Sequence, residues 1–158
     1  FNGGSQLAMG TMQDISDIGT IYINTNLAAA AGVVVAMILT QIMFKKMDLT
    51  LVLNGAIGGL VAITAGPDLQ QHAHAIIVGG IGGALVVIAV PLIDKLKIDD
   101  VVGAISAHLV CGIWGTLARH AGGCVSRGPD VLPSVLSPAL QAATHLPTGR
   151  RPKPSPPR

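Results

Sequence analysis

The chain has 158 residues, of which 50% are hydrophobic, 11% charged and 3% aromatic, with a formal net charge of +2. A soluble domain carries about 25% charged residues, so this composition, with a mean hydropathy of +0.61, is that of a membrane protein. So small a charge and so few aromatic rings exclude a nucleic-acid binder. The two cysteines, Cys111 and Cys124, supply neither a metal site nor a disulfide framework.

Residues 1–11 lack the basic start and compact apolar run of a cleavable leader. No Met opens the chain, which is therefore expected to begin inside a longer protein. Four stretches then contain no Asp, Glu, Lys or Arg: 18–44, 49–67, 69–93 and 101–118. Each approaches or exceeds the length of about 20 residues with which a helix crosses a hydrocarbon core of roughly 30 Å. Membrane-spanning helices are predicted over about 21–44, 49–67, 73–93 and 101–118, giving an all-α membrane protein. The first is expected to start near Ile21 or Asn24, with Asn24 as its N-cap.

Lys45, Lys46, Lys95 and Lys97, the only basic residues before position 119, all fall in loops on one side. The bias of Lys and Arg towards the cytoplasm makes that side the inner one and places residues 1–19 outside. The intervening loop, with Asp68, His72 and His74, is then an outer loop; its histidines read as exposed, since i, i+2 is not a helical metal pair. Gly55 and Gly59, like Gly79 and Gly83, have the GxxxG spacing with which helix backbones approach closely in lipid. Asn54 reads as a bridge between helices and Thr64 as a helix-end hydroxyl turned to the backbone. Pro91 sits near the inner end of the third span, and Asp99 and Asp100 suit the N-terminus of the fourth.

His108 lies eight residues into the fourth stretch, about 12 Å from its charged start at ~1.5 Å per residue. An ionisable side chain at that depth faces a bundle interior or a water-accessible path. Two readings of it stand open: an interhelical hydrogen bond and a conduction role. After Ala118 the composition changes. All five arginines and eight of the ten prolines lie in the last forty residues, so 119–158 reads as a separate disordered tail or the product of a shifted reading frame.

Several motifs together resemble one family. Phe1, Asn2, Gly3, Gly4 and Ser5 open the chain, and Asn24, Thr25, Asn26 and Leu27 lead into an alanine run. Asn54 to Thr64 reads NGAIGGLVAIT, Asp99 and Asp100 follow, and Ala107 to Gly115 reads AHLVCGIWG. In this order and spacing, 1–118 resembles the Amt/Mep/Rh ammonium transporters, the bacterial Amt branch in particular; the tail does not. The resemblance implies eleven helices per subunit, a homotrimer, and one pore per subunit between two inverted five-helix repeats. It makes this chain the second inverted repeat, from the end of helix six through helix ten, in a multi-pass inner or plasma membrane protein.

The resemblance also implies roles. Phe1 matches the aromatic gate at the outer mouth and Ser5 the hydroxyl that helps recruit ammonium. His108 matches the helix-ten histidine that pairs with one from helix five, upstream of this chain. Thr64 is a weaker candidate for the outer vestibule. Ammonium or ammonia is the implied substrate, and membrane lipid the surrounding partner. No metal, cofactor or catalytic residue is implied, and no nucleophile–base arrangement or phosphate loop supports an enzyme. The fragment is expected to be inactive alone. A non-transporting membrane module and an Rh-type gas channel are the alternatives. Family members often bind a PII-type signalling protein through a C-terminal tail, which this ending does not resemble.

Overall fold

Thr11 starts the first helix through a capping box. Its hydroxyl accepts from the Asp14 backbone N–H at 3.1 Å, and the Asp14 carboxylate accepts from the Thr11 N–H at 2.9 Å. The computed structural model describes residues 1–100 and 102–126. A 3-10 turn at Asn2–Gln6 is followed by α1 (Met12–Phe44), α2 (Leu49–Thr64), α3 (His72–Lys95), a π-helical turn (Ile105–Val110) and α4 (Cys111–Ser126). No strand occurs among the described residues.

The element bounds depart from the expected ones in four places. The 33 residues of α1 make it about 50 Å long, and it begins nine residues ahead of position 21 because the polar turn before the apolar stretch is helical too. Asn24 is not its N-cap but a fully buried mid-helix residue. Helix α2 starts on the Asp48 carboxylate, which accepts from the N–H groups of Thr50 (2.8 Å) and Leu51 (3.2 Å). It stops at Thr64 rather than 67, since Pro67 disfavours helical backbone at Gly66. The fourth element is broken in two, and α4 continues through Arg119 to Ser126, so 119–126 is helix rather than tail. The expected disorder or frame shift over the rest of the tail, and the first residue of the expected fourth span, lie outside the described residues. Two helices, Met12–Phe44 and His72–Lys95, are long and apolar enough to cross a membrane, while Leu49–Thr64 is apolar but shorter.

Small residues set the packing. Helix α1 buries Ala28, Gly32 and Ala36, one residue every fourth position. Against this stripe lie Gly55 and Gly59 of α2 and Gly79 and Gly83 of α3. A Cβ added at Gly59 would stand 2.5 Å from the Ala28 carbonyl oxygen, and one at Gly83 only 2.7 Å from the Gly32 Cα. Both GxxxG pairs therefore mark backbone-to-backbone contact, the mode that suits helices in lipid. Adjoining faces of α2 and α3 meet through Gly58 and Gly82, whose own seam receives Cys111 and Val86.

Successive helices run in alternating directions. Asn24 near the start of the buried part of α1 meets the loop after α2, and Asn54 near the start of α2 meets the loop before the π-turn. The outer end, in the orientation the lysines give, holds the 3-10 turn, the α2–α3 loop and the end of α4. The inner end holds the other two loops.

Candidate functional site

His108 sits inside the π-helical turn. The approach to it is fixed from the inner end, where the Asp100 carboxylate accepts from the N–H groups of Ile105 (3.0 Å) and Ser106 (3.4 Å). Gly103, at φ +72°, turns the chain into this start, and the Asn54 Nδ2 donates to the Val102 carbonyl at 3.0 Å. Asn54 thus ties α2 to the loop before the π-turn rather than to another helix, and Asp100 serves as an N-terminal carboxylate.

Depth follows from register. One turn after His108, the Cys111 thiol donates to the Gly82 carbonyl at 3.3 Å, near the middle of α3, and lies beside Gly58 in the middle of α2. His108 is therefore within a turn of the bundle's midplane. Ser106, Ala107 and Cys111 are buried against α2 and α3, whereas His108 is exposed, with Ala104 and Leu109 beside it. No hydrogen bond engages its ring among the described residues, so the interhelical bond that its sequence setting left open is not made within them. Ser106 carries a fully buried hydroxyl without a partner; such a group costs about 1–3 kcal/mol.

The other candidates lie elsewhere. Phe1 is fully exposed and Ser5 exposed, both at the 3-10 turn on the outer end. That turn docks on α1 through Asn2, whose Nδ2 donates to the Thr25 Oγ1 at 3.2 Å, and through Gly3, which lies against the Tyr22 ring. The Thr64 hydroxyl donates to the Leu60 carbonyl at 2.7 Å, the helix-end role. Among the described residues no hydrogen bond joins Phe1, Ser5, Thr64 and His108. A cleft of about 410 Å³ at the inner end is lined by Thr50, Asn54, Asp94, Lys97, Asp99 and Asp100, and it includes none of the four.

Three polar connections escaped the sequence reading. Asn24, 0% exposed, donates both amide hydrogens, to the carbonyls of Pro67 (2.9 Å) and Leu69 (2.7 Å). Its Oδ1 is left as an acceptor for His72 Nδ1 at 2.7 Å, which fixes a proton on that nitrogen. Arg119, assigned to the tail by its composition, forms a two-point ion pair with Asp68, with N–O distances of 2.6 and 3.1 Å. Its stem lies over Gly66, which has no side chain to block it. The Trp114 indole donates to the Val78 carbonyl at 3.0 Å and ties α4 to α3. A buried Asn four residues before a small-residue stripe was the available signal for the first; for Arg119 the helix simply outlasts the apolar run.

Comparison with known proteins gives a consistent result. The profile of the Ammonium Transporter Family matches residues 1–126, so the match takes in 119–126 as well. The chain is similar to the sll1017 protein of Synechocystis sp., with 44% identity over 120 residues, covering 75% of this chain and 27% of that protein. It is also similar to ammonium transporter Amt2 of Archaeoglobus fulgidus, with 41% identity over 118 residues, 75% of this chain and 24% of that one. Among solved structures, a sensor Amt protein superposes with a TM-score of 0.70 at 38% identity, over 76% of this chain and 29% of that one. The chain thus spans about a quarter of the length of these relatives.

Proposed function

The chain belongs to the Ammonium Transporter Family, and from that premise we propose that it is part of a membrane conduit that recruits ammonium at its outer face and passes ammonia by way of His108. The observation that carries this reading is the placement of His108. Its imidazole stands near the bundle midplane on a face that the described helices leave uncovered, beside Ala104 and Leu109. An imidazole facing lipid at that depth is costly, so the favoured arrangement is a second protein surface over this face. The inverted partner repeat, carrying the second histidine of a pair, is that surface.

Charge arithmetic sets the form in which substrate passes. Moving an ammonium-sized ion into a low-dielectric interior costs an idealised ~20 kcal/mol. A cation–π contact returns about 2 kcal/mol and a charged hydrogen bond about 1.5–3 kcal/mol. Phe1 and Ser5 at the outer end can hold the ion at the mouth with such contacts, and the Ser5 hydroxyl is unengaged among the described residues. They cannot carry it bare through an apolar path. Neutral ammonia crosses instead, along ring nitrogens that can donate and accept. Thr64 contributes only its lone pairs to the vestibule, since its hydroxyl donates to the Leu60 carbonyl. The working unit is a homotrimer in the inner or plasma membrane, and the chain by itself is inactive.

Exchanging the matching segment of Archaeoglobus fulgidus Amt2 for residues 1–126 tests this. In cells lacking their own ammonium uptake, the chimera is expected to take up methylammonium, and His108→Ala within it to lower or alter that uptake. Unchanged rate and selectivity in the variant would remove His108 from the pathway. Liposomes holding only the 158-residue chain should conduct no more than empty ones; saturable conduction would refute its inactivity.

A further inference from the structure

Cys111 is buried completely, and its sulfur has three neighbours that together locate it. The thiol lies 3.3 Å from the Gly82 carbonyl oxygen of α3 and 3.6 Å from the Ser106 carbonyl oxygen of its own π-turn. A Cβ added at Gly58 of α2 would stand 3.1 Å from the sulfur, so the absence of side chains at Gly58 and Gly82 makes the space it fills. The contact with Ser106 spans five positions. In an α-helix the neighbours of a residue on the preceding turn are three and four positions back; five back comes underneath only where bonds run i→i+5.

The π-turn changes where His108 points. An α-helix advances about 100° per residue; a π-turn, with roughly 4.4 residues per turn, advances about 82°. Counting back from Cys111 at α spacing puts His108 about 60° from the Cys111 direction and Ser106 about 140° away, outside the packed face. At π spacing Ser106 comes to about 50° and Ala107 to about 30°, while His108 swings out to roughly 115°. The burial follows the second pattern: Ser106 and Ala107 are inside and His108 is exposed. The turn, which opens the fourth helical element, retains an unpartnered Ser106 hydroxyl, and π-turns are frequent at functional sites.

We propose that Cys111 is a positioning residue: its thiol, seated between Gly58 and Gly82 and bonded to carbonyls of α3 and of the π-turn, holds that turn open and so aims His108 away from α2 and α3 into the conduction path. The inference deepens the transport reading of His108 and rests on it. Cysteine suits the place because it is a small apolar body with one weak donor. Alanine lacks the donor; serine keeps it.

The test uses the whole 158-residue chain, labelled with ¹⁵N-histidine, in bilayers of phosphatidylethanolamine and phosphatidylglycerol. His108 ring signals are assigned by their loss in His108→Gln, and its reaction with diethyl pyrocarbonate is followed by mass spectrometry. The Trp114 indole signal reports whether α4 remains on α3. Cys111→Ala is expected to shift or double the His108 ring signals and slow its modification about fivefold or more, as the turn relaxes to α spacing. Cys111→Ser is expected to restore both. Unchanged ring signals and rate in Cys111→Ala, with Trp114 intact, would overturn the proposal. Should the alanine variant lose the Trp114 signal, the infrared S–H band decides on a chain carrying only Cys124→Ala. A band lowered by hydrogen bonding supports the proposal, and one at the free-thiol frequency overturns it. A silent chimera would remove the transport reading without moving any of these signals, so the two failures are separable.

Discussion

Three hydrogen bonds converge on the Asn24 side-chain amide. Replacing it by Ala leaves the Pro67 and Leu69 carbonyls and the His72 N–H without their partner. A loss of about 1–3 kcal/mol is expected, read as a lower midpoint in a detergent unfolding curve followed by Trp114 fluorescence. Asn24→Asp is expected to fare no better, since a carboxylate accepts from His72 but donates to neither carbonyl. At the outer tip of α1, ahead of the apolar stretch, the Thr11 hydroxyl, then the Thr11 backbone N–H and Gln6, hold the Asp14 carboxyl below its usual range. A carboxyl lowered by folding stabilises above its unfolded value and ceases to do so as pH falls through the folded one. The first turn of α1 is therefore expected to fray as pH falls below the usual carboxylate range, visible as faster amide exchange at Thr11 and Asp14. The depth of His108 was legible from its distance along an uncharged run. The role of Asn24 was not, because an Asn at the edge of an apolar stretch reads equally as a cap and as a buried clamp.

At the level of the elements, two glycines of similar appearance have opposite expected responses. A methyl at Gly83 would drive into the Gly32 backbone of α1, while nothing stands within 4 Å of one at Gly19. Gly83→Ala is expected to destabilise by about 1–3 kcal/mol, as overpacking does. Gly19→Ala, in a helix with open space beside it, should stabilise by roughly 0.5–1 kcal/mol. Thermal melts of both variants in the same detergent check the sign. The close-packing glycines of α2 and α3 were readable from spacing alone. Their counterpart on α1, the run of Ala28, Gly32 and Ala36, was hidden inside a stretch where small and large apolar residues alternate without a motif. The π-turn was not readable either. Its residues, Ile105 to Val110, are apolar apart from Ser106 and His108 and contain neither Gly nor Pro, while the Cys111 seat beside it is made by two glycines on other helices.

For the molecule as a whole, the outer ends of α2, α3 and α4 are joined by Asp68 and Arg119, with side chains 52% and 37% exposed. So open a pair is worth about 0–1 kcal/mol, and Arg119→Lys is expected to shift stability by less than that and to lose even this effect at high salt. A larger loss in Arg119→Ala alone would report the packing of its stem over Gly66. The order of the apolar segments and their alternation followed from where charges are absent. The end of the last helix did not, since composition turns polar at Arg119 while backbone bonding continues to Ser126.

Where α1 meets α2 and α3 at Ala28 and Gly32, main chain rests on main chain, with no rotatable side chain between to act as a bearing. Sliding any one of them lengthwise would lift several carbonyls out of their glycine seats at once. The trio behaves as a keel, so any movement within the bundle is expected at the opening 3-10 turn or the His108 turn rather than inside it.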